Sequence, residues 1–216
     1  TVTALRWLAG SAYQIHAEGL TCPKYFSWKQ RSGSADELII YDAMGRELRT
    51  VSHGLPENGV DKVIYQDKQY DVWGRLYKIS EPYFKGLPMG QRKWTTYAYG
   101  DFDRIEVVYD PQFTVDNQTI EPYTRYDYDG LVTKVTTGVA GNAQTHITQT
   151  TFNIMGWTDS KAETIDESGT NNVITYGYNA NGSLAWTKVN GMETTKVSIS
   201  YDNAGNRTGL VDPDYG

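Results

Sequence analysis

One short phrase recurs along this chain: an aromatic residue, an Asp or Asn, two variable residues and then Gly. Its clearest copies begin at Tyr41, Tyr70 and Tyr201, and seven copies can be traced in all. Their aromatic anchors are separated by 29, 29, 27, 26, 26 and 23 residues. A period of this size is typical of one small supersecondary unit stacked many times. The sequence therefore predicts that most of the chain folds as an array.

The seven aromatic anchors are Tyr41, Tyr70, Tyr99, Tyr126, Phe152, Tyr178 and Tyr201. The next position holds an acid or its amide in six copies, at Asp42, Asp71, Asp127, Asn153, Asn179 and Asp202. The same six copies have the closing glycine, at Gly45, Gly74, Gly130, Gly156, Gly182 and Gly205. Copy three departs, because Gly100 follows its anchor and Asp103 replaces the closing glycine. Copy four can equally be aligned two residues later, from Tyr128-Asp129.

Asp and Gly at these positions predict a tight hairpin turn. Asp begins many type I turns, and a left-handed Gly after such a turn gives the three-residue hairpin loop. Gly takes a positive φ at little steric cost, and the Asp or Asn side chain can accept a hydrogen bond from its own turn. The flanks of the first copy, 37–41 and 46–51, have the composition of strands. Each copy is therefore interpreted as the turn of a β-hairpin.

A second, looser turn is predicted between successive hairpins. Acid-Pro pairs stand eight residues after positions 74, 103 and 205, and they end at Pro82, Pro111 and Pro213. In other copies the same neighbourhood holds Gly54, Gly138 or Asn190-Gly191. Such pairs favour turns, and Pro cannot donate within a central strand. Each unit is then strand, tight turn, strand and looser turn.

The composition favours a sheet with amphipathic faces over a thick apolar core. Leu, Ile, Val and Phe make up about a fifth of the 216 residues. The strand formers Tyr, Trp and Thr number 17, 6 and 24. Residues 36–216 are predicted to form about seven tandem repeats, truncated within the last unit. Residues 1–35 are predicted to form a degenerate N-terminal repeat or lead-in strands.

Charge and motif content argue against several classes of partner and site. The net charge is −6 and no basic block occurs, which does not suggest nucleic acid. The single cysteine leaves no partner for an internal disulfide. No signal peptide or membrane span is recognised. No phosphate loop, nucleophile elbow or zinc signature occurs, and no cofactor is expected.

The phrases at 41–48, 70–76, 126–131 and 201–207 resemble the YD repeats of the Rhs family. That family includes the bacterial Rhs toxins, the B and C components of insecticidal toxin complexes, and the animal teneurins. The resemblance covers about residues 36 to 216. Among the departures, the Arg that follows Gly is replaced by Leu131, Trp157 and Ser183.

The resemblance implies an all-β fold in which tandem YD-repeat β-hairpins form a continuous spiralling sheet, part of a hollow shell. In the bacterial toxins that shell encloses a toxic C-terminal domain. The chain is then expected to be a non-catalytic scaffold of a secreted or exported bacterial protein. Its expected partners are the enclosed toxin domain or the remainder of the same shell. The family's shell-closing region, with its self-cleaving carboxylates, would lie beyond Gly216, so no catalytic residue is carried over.

Two carboxylate pairs nevertheless suggest a catalytic alternative. Asp101 with Asp103, and Asp127 with Asp129, lie two residues apart, where a retaining glycosidase pair is conceivable. Both pairs fall inside predicted turns, which favours local turn bonding instead. No metal-ligand spacing relates the three histidines, His16, His53 and His146.

The alternative function is a carbohydrate-binding or cell-surface adhesion module. Exposed Tyr and Trp faces flanked by Asp and Asn suit sugar rings, and the candidate residues are Trp73, Trp157 and Trp186. The competing interpretation is that these aromatic side chains brace adjacent hairpins through cross-strand pairs.

Overall fold

The computed structural model describes residues 2–30, 36–54, 62–164 and 171–215. Strands make up 56% of it, and the described residues contain no α-helix. The all-β class expected from the sequence is therefore confirmed. Short 3-10 turns span Ala12–His16, Met89–Gln91, Asp101–Asp103 and Glu193–Thr195. None of the helices in the described ranges has the length and apolar character needed to cross a membrane.

In chain order the strands are β1 (Val2–Trp7), β2 (Tyr25–Gln30), β3 (Glu37–Tyr41), β4 (Glu47–His53), β5 (Val63–Tyr70), β6 (Leu76–Ser80), β7 (Tyr83–Phe84), β8 (Trp94–Tyr99), β9 (Ile105–Tyr109), β10 (Phe113–Val115), β11 (Gln118–Ile120), β12 (Pro122–Asp129), β13 (Val132–Val139), β14 (Thr145–Phe152), β15 (Thr158–Thr164), β16 (Asn171–Tyr178), β17 (Leu184–Val189), β18 (Val197–Tyr201) and β19 (Arg207–Val211). Backbone contacts divide the chain into two compact units. Unit 1 comprises Thr1–Ala98 with Val108–Thr119, and unit 2 comprises Tyr99–Val107 with Ile120–Gly216.

Within each unit, strands that follow one another along the chain pair antiparallel. In unit 1, β1 to β6 pair in sequence. In addition, β5 pairs with β7 and β6 pairs with β8. In unit 2, β12 to β19 each pair with the next strand. Antiparallel neighbours need only short connections, so a meander of hairpins follows directly from the regular spacing of turns.

Five of the predicted hairpins share one irregularity, a register shift at the aromatic anchor. The shift falls immediately before Tyr41, Tyr70, Phe152, Tyr178 and Tyr201. The closing glycines of these copies have φ between +79° and +86°. A left-handed glycine that ends a turn with one extra residue is the G1 type of β-bulge. The sequence phrase therefore encodes a turn together with its bulge.

Copies three and four reach a hairpin by other turns. In copy three Tyr99 ends β8, and Phe102 and Asp103 both have positive φ, at +58° and +57°. In copy four Asp129 pairs with Val132, so the loop has two residues and Gly130 stands first with φ +55°. Gly at the first central position is what a type II′ turn requires. Asp127 therefore lies inside β12, and the turn predicted from Asp127 to Gly130 is wrong because the strand continues to Asp129.

The looser turns follow the prediction at most positions but not at Gly138. Asn190-Gly191 forms a turn after β17, with both residues at positive φ. Gly138 instead lies inside β13, opposite Tyr123 on β12. A Cβ at position 138 would lie 3.1 Å from the Tyr123 hydroxyl oxygen. Gly138 therefore leaves space for the ring of Tyr123 and does not form a turn. The chain reverses direction only after β13, at 140–144.

The apolar core lies in unit 1. It is formed by seven buried residues of the lead-in segment and the first hairpins: Leu8, Phe26, Leu38, Ile40, Val51, Tyr65 and Tyr83. Among the described hydrophobic residues of unit 2, Val107 is buried and the strands are otherwise partly exposed. The composition predicted such a thin sheet, because the chain has too few aliphatic residues to bury both faces of every strand.

Replacing Gly45 by Ala tests the left-handed turn. Nothing lies within 4 Å of a Cβ built at Gly45, whose φ is +80°, so the cost is conformational alone. We expect a loss of about 1–2 kcal/mol in the free energy of unfolding, and a larger loss for Gly45→Val.

The matched control is Gly90→Ala, which also meets open space but has no positive φ. Urea denaturation should leave this control close to the wild-type protein. Hydrogen exchange should place the loss of protection near β3 and β4, since units of an array contact mainly their neighbours. A uniform loss of protection across all repeats would contradict the array interpretation.

Candidate functional site

The carboxylate of Asp42 reinforces the backbone hydrogen bonds that close the first hairpin turn. Its Oδ1 accepts hydrogen bonds from the backbone N–H groups of Met44 at 2.8 Å and Arg46 at 2.9 Å. Its Oδ2 accepts one from Arg46 Nε at 2.6 Å. Burial favours the neutral acid, but the hydrogen bonds from Arg46 and Met44 outweigh it and hold the pKa of Asp42 below its usual range. The ionised carboxylate is thus committed to the turn.

The same arrangement recurs at the turns of copies two and seven, and in part at that of copy five, whereas in copy six Ser183 N–H donates to Asn181 Oδ1. Asp71 Oδ1 accepts from the backbone N–H groups of Trp73 and Arg75, and its Oδ2 accepts from Arg75 Nε at 2.7 Å. Asp202 binds in the same way, with Asn206 Nδ2 in place of the guanidinium, at 3.0 Å. Asn153 keeps the two bonds to backbone N–H groups. The residue after the glycine is therefore part of the turn wherever it is Arg or Asn.

The hydroxyl of the anchor tyrosine binds the preceding hairpin. Tyr70 donates to the Glu47 carbonyl at 2.9 Å, and Tyr178 donates to the Thr158 carbonyl at 2.9 Å. Tyr201 donates to the carbonyl of Leu184 at 3.0 Å. Each acceptor lies six residues after the anchor of the preceding copy, where the strand leaves its turn. We call this contact the tyrosine link.

In copy four the tyrosine link is made by Tyr128, which donates to the Ile105 carbonyl at 3.3 Å. Ile105 again lies six residues after the preceding anchor, Tyr99. Tyr126, the anchor assigned from sequence, stacks on the Tyr128 ring at 6.5 Å. The tyrosine link has no signal in the sequence. A Tyr that recurs at a regular spacing predicts only that its ring packs, because the partner of its hydroxyl depends on the register between hairpins.

A buried ion pair lies in unit 1 and has no counterpart in the sequence prediction. Arg49 and Asp67 are directly opposite in β4 and β5, and are 1% and 3% exposed. Arg49 Nε lies 2.5 Å from Asp67 Oδ1, and Nη2 lies 2.8 Å from Oδ2. Tyr83 and Arg92 also donate to Oδ2, at 2.6 and 3.1 Å. With four donors from three side chains on it, the carboxylate has little acceptor capacity left for a substrate.

This ion pair also holds the lead-in segment against the first repeats. Arg49 Nη1 donates to the carbonyls of His16 at 2.7 Å and Glu18 at 3.1 Å. The His16 ring shares a hydrogen bond with the Tyr65 hydroxyl, Nδ1 to Oη 2.9 Å. Burial, and then the positive charge of Lys85, lower the pKa of His16 below 6.5. Removing the Asp67 carboxylate would leave two guanidinium groups without their charge partner, so the cluster is a structural clasp.

The three candidate sugar-binding tryptophans lie in different settings. Trp73 is 77% exposed at the tip of its turn, and the Arg75 guanidinium carbon lies 4.8 Å from the centre of its ring. Trp157 packs on Tyr178, with ring centroids 5.2 Å apart. Trp186 lies across Gly177 on the paired strand, where a Cβ would come within 2.1 Å of the indole. Trp157 and Trp186 thus brace strands and are partly exposed, whereas Trp73 is largely exposed.

Asp101 and Asp127, two of the four aspartates considered for catalysis, both line an open cleft of unit 2. The cleft has a volume of about 310 Å³ and is lined by Gly100, Asp101, Arg104, Ile105, Glu106, Tyr126, Asp127 and Tyr128. The Arg104 guanidinium carbon lies 4.3 Å from the centre of the Tyr128 ring. Across the described part of the chain, no three His, Cys, Asp or Glu side chains are grouped as a metal ion requires.

Removing the Tyr70 hydroxyl tests the tyrosine link. Tyr70→Phe keeps the ring and deletes the donor to the Glu47 carbonyl, so we expect a loss of about 1 kcal/mol in the free energy of unfolding. Tyr77→Phe is the matched control, because Tyr77 is exposed on the next strand. Chemical denaturation of both variants would show the difference; equal effects would mean that the link contributes nothing to stability.

The lowered pKa of His16 predicts that the free energy of unfolding decreases as the pH is lowered. Above pH 6.5 the ring is neutral in both states. Below pH 6.5 the unfolded chain binds a proton that the folded chain does not yet accept, so the free energy of unfolding falls. His16→Asn should flatten this slope, whereas the exposed control His146→Asn should keep it. Denaturation series from pH 7.5 to 5 measure the slopes, and an unchanged slope in His16→Asn would contradict the assignment.

No protein-family model matches this chain, and no curated protein sequence matches it either.

Proposed function

We propose that the chain is a non-catalytic structural scaffold, a portion of an Rhs-type shell of YD-repeat hairpins that encloses a C-terminal toxin domain and helps to deliver it. The observation that carries this proposal is the use of the repeated polar groups. The Asp carboxylates close their own turns, and the anchor hydroxyls bind the preceding hairpin. The repeated residues thus bind the array itself rather than a ligand.

The thin sheet of unit 2 supports the same proposal. Eight strands, β12 to β19, pair in sequence, and their side chains are mostly partly exposed. A sheet with two amphipathic faces suits a wall that has solvent on one side and contents on the other. The wall would need no catalytic group of its own, and the protein that carries it would be secreted or exported from a bacterium.

Protease protection tests enclosure directly. The array is expressed together with the domain that follows it, and the digestion rate of that domain is measured. We expect an intact array to protect the domain, and Gly45→Val combined with Gly74→Val to expose it, because valine is an outlier at positive φ. Gly90→Ala is the control and should protect like the wild-type array. Equal digestion of the domain with intact and opened arrays would refute enclosure.

Carbohydrate binding is the second candidate function, and the exposure of Trp73 is the observation that favours it. At the hairpin tip its ring lies beside the Arg75 guanidinium, which is itself paired with Asp71. A glycan array probed with the chain should then show sugar-dependent signal that Trp73→Ala abolishes. Trp7→Ala, at a comparably exposed tryptophan outside the turns, should retain the signal. A scaffold without lectin activity would give no signal for any of the three proteins.

A further inference from the structure

All four methionines of the chain are exposed to solvent. Methionine is among the residue types most often buried in folded proteins. Leu, Ile, Val and Phe are scarce in this chain, so its methionines would be expected in the core. They are instead exposed by 77%, 54%, 67% and 48%, at Met44, Met89, Met155 and Met192. The thioether groups of the chain are therefore open to reagents in solution.

Two of these methionines occupy the same place in their hairpin turns. Met44 and Met155 each stand immediately before the closing glycine, in copies one and five. The Met44 N–H donates to Asp42 Oδ1 at 2.8 Å, and the Met155 N–H donates to Asn153 Oδ1 at 2.9 Å. Copy seven makes the same bond from Ala204. The bond thus uses the backbone of this position and does not depend on its side chain.

The other two methionines are also held in their turns by backbone atoms. The Met192 N–H donates to the Val189 carbonyl at 3.0 Å, and the Met89 carbonyl accepts from the Arg92 N–H at 3.2 Å. None of the four methionines belongs to the apolar core of unit 1 or packs against it. A chemical change at their sulfur atoms therefore removes no core contact and no turn bond.

Hydrogen peroxide converts a methionine thioether into a sulfoxide. The sulfur lone pair attacks one peroxide oxygen, and the O–O bond breaks as the S–O bond forms. The proton on the transferred oxygen passes to the other oxygen, which leaves as water. Sulfur is oxidised and the peroxide is reduced, so no further reagent is needed. The product is polar, which is why the same reaction disrupts a core that contains the methionine.

We propose that these four methionines are reversible modification sites, at which hydrogen peroxide forms methionine sulfoxide without loss of the fold. A modification changes the free energy of unfolding only where it acts differently on the folded and unfolded chains. These side chains are in contact with water in both states, so the sulfoxide is hydrated in both. Sulfoxide reductases restore the thioether. The inference stands whether or not the chain encloses a toxin domain.

Mass spectrometry of peroxide-treated protein tests the proposal. The exposed thiol of Cys22 is first blocked with iodoacetamide, so that only methionines are counted. We expect the native chain to gain one oxygen atom at each methionine, at rates close to those of the urea-unfolded chain. Met44 and Met155 should react at closely similar rates. The fully oxidised protein should keep the urea midpoint of the untreated protein, and methionine sulfoxide reductases should remove the added oxygens.

The matched control is Leu38→Met, which places one more methionine in the core. Leu38 is 4% exposed, and exchange of Leu for Met nearly conserves volume. The added methionine should react far more slowly than the native four, and its oxidation should lower the urea midpoint. Equal reactivity of all five would overturn the proposal. So would a wild-type methionine that reacts only after unfolding, or an oxidised wild-type protein with a lowered midpoint.

Discussion

The left-handed glycine at the end of the hairpin turn is the constraint on which the other contacts depend. Its positive φ allows the extra residue of the bulge, and the bulge sets the register of the two strands. A slip of one residue would turn every side chain to the opposite face of the sheet. In the observed register the Tyr70 hydroxyl reaches the carbonyl of Glu47. The turn thus sets the register within each hairpin, and the tyrosine link depends in addition on the register between hairpins, here that of β4 with β5.

The two ends of the described chain are stabilised in different ways. Unit 1 has an apolar core and, beside it, the clasp of Arg49 and Asp67. The desolvation free energy of two buried charges offsets much of their Coulomb attraction. The main contribution of such an ion pair is therefore to disfavour other arrangements of the chain. Here it admits one placement of the lead-in segment, because Arg49 must also meet the carbonyls of His16 and Glu18. Unit 2 depends instead on contacts between neighbouring strands.

In these contacts an aromatic ring packs into the space that a glycine leaves on the paired strand, or packs against another aromatic ring. Trp186 covers Gly177 on the paired strand, and Trp157 packs against Tyr178 of the next hairpin. Aromatic side chains supply large apolar area where aliphatic residues are few. The first contact lies within one hairpin and the second joins it to its neighbour, so neither reaches further along the array, as nearest-neighbour stability in a repeat protein requires.

Much of the fold could be read from the sequence, because Asp and Gly act on their own turn and need no distant partner. The strand ends at Tyr41, Tyr70 and Tyr201 follow from that local chemistry. Where local rules allowed two registers, as between Tyr126 and Tyr128, the sequence left both open. Gly138 was misassigned to a turn because a glycine that makes room for a ring has the same sequence signal as one that turns the chain.

The order of residues along the chain was enough to predict the all-β class and the turns of copies one, two, five, six and seven. The tertiary structure decided which hydroxyl meets which carbonyl, and that Arg49 lies opposite Asp67. It also decided that Trp157 and Trp186 are braces while Trp73 stands in solvent. A turn is a contact over four or five residues, whereas these pairings join residues on different strands, and the partners meet only once the register between those strands is set.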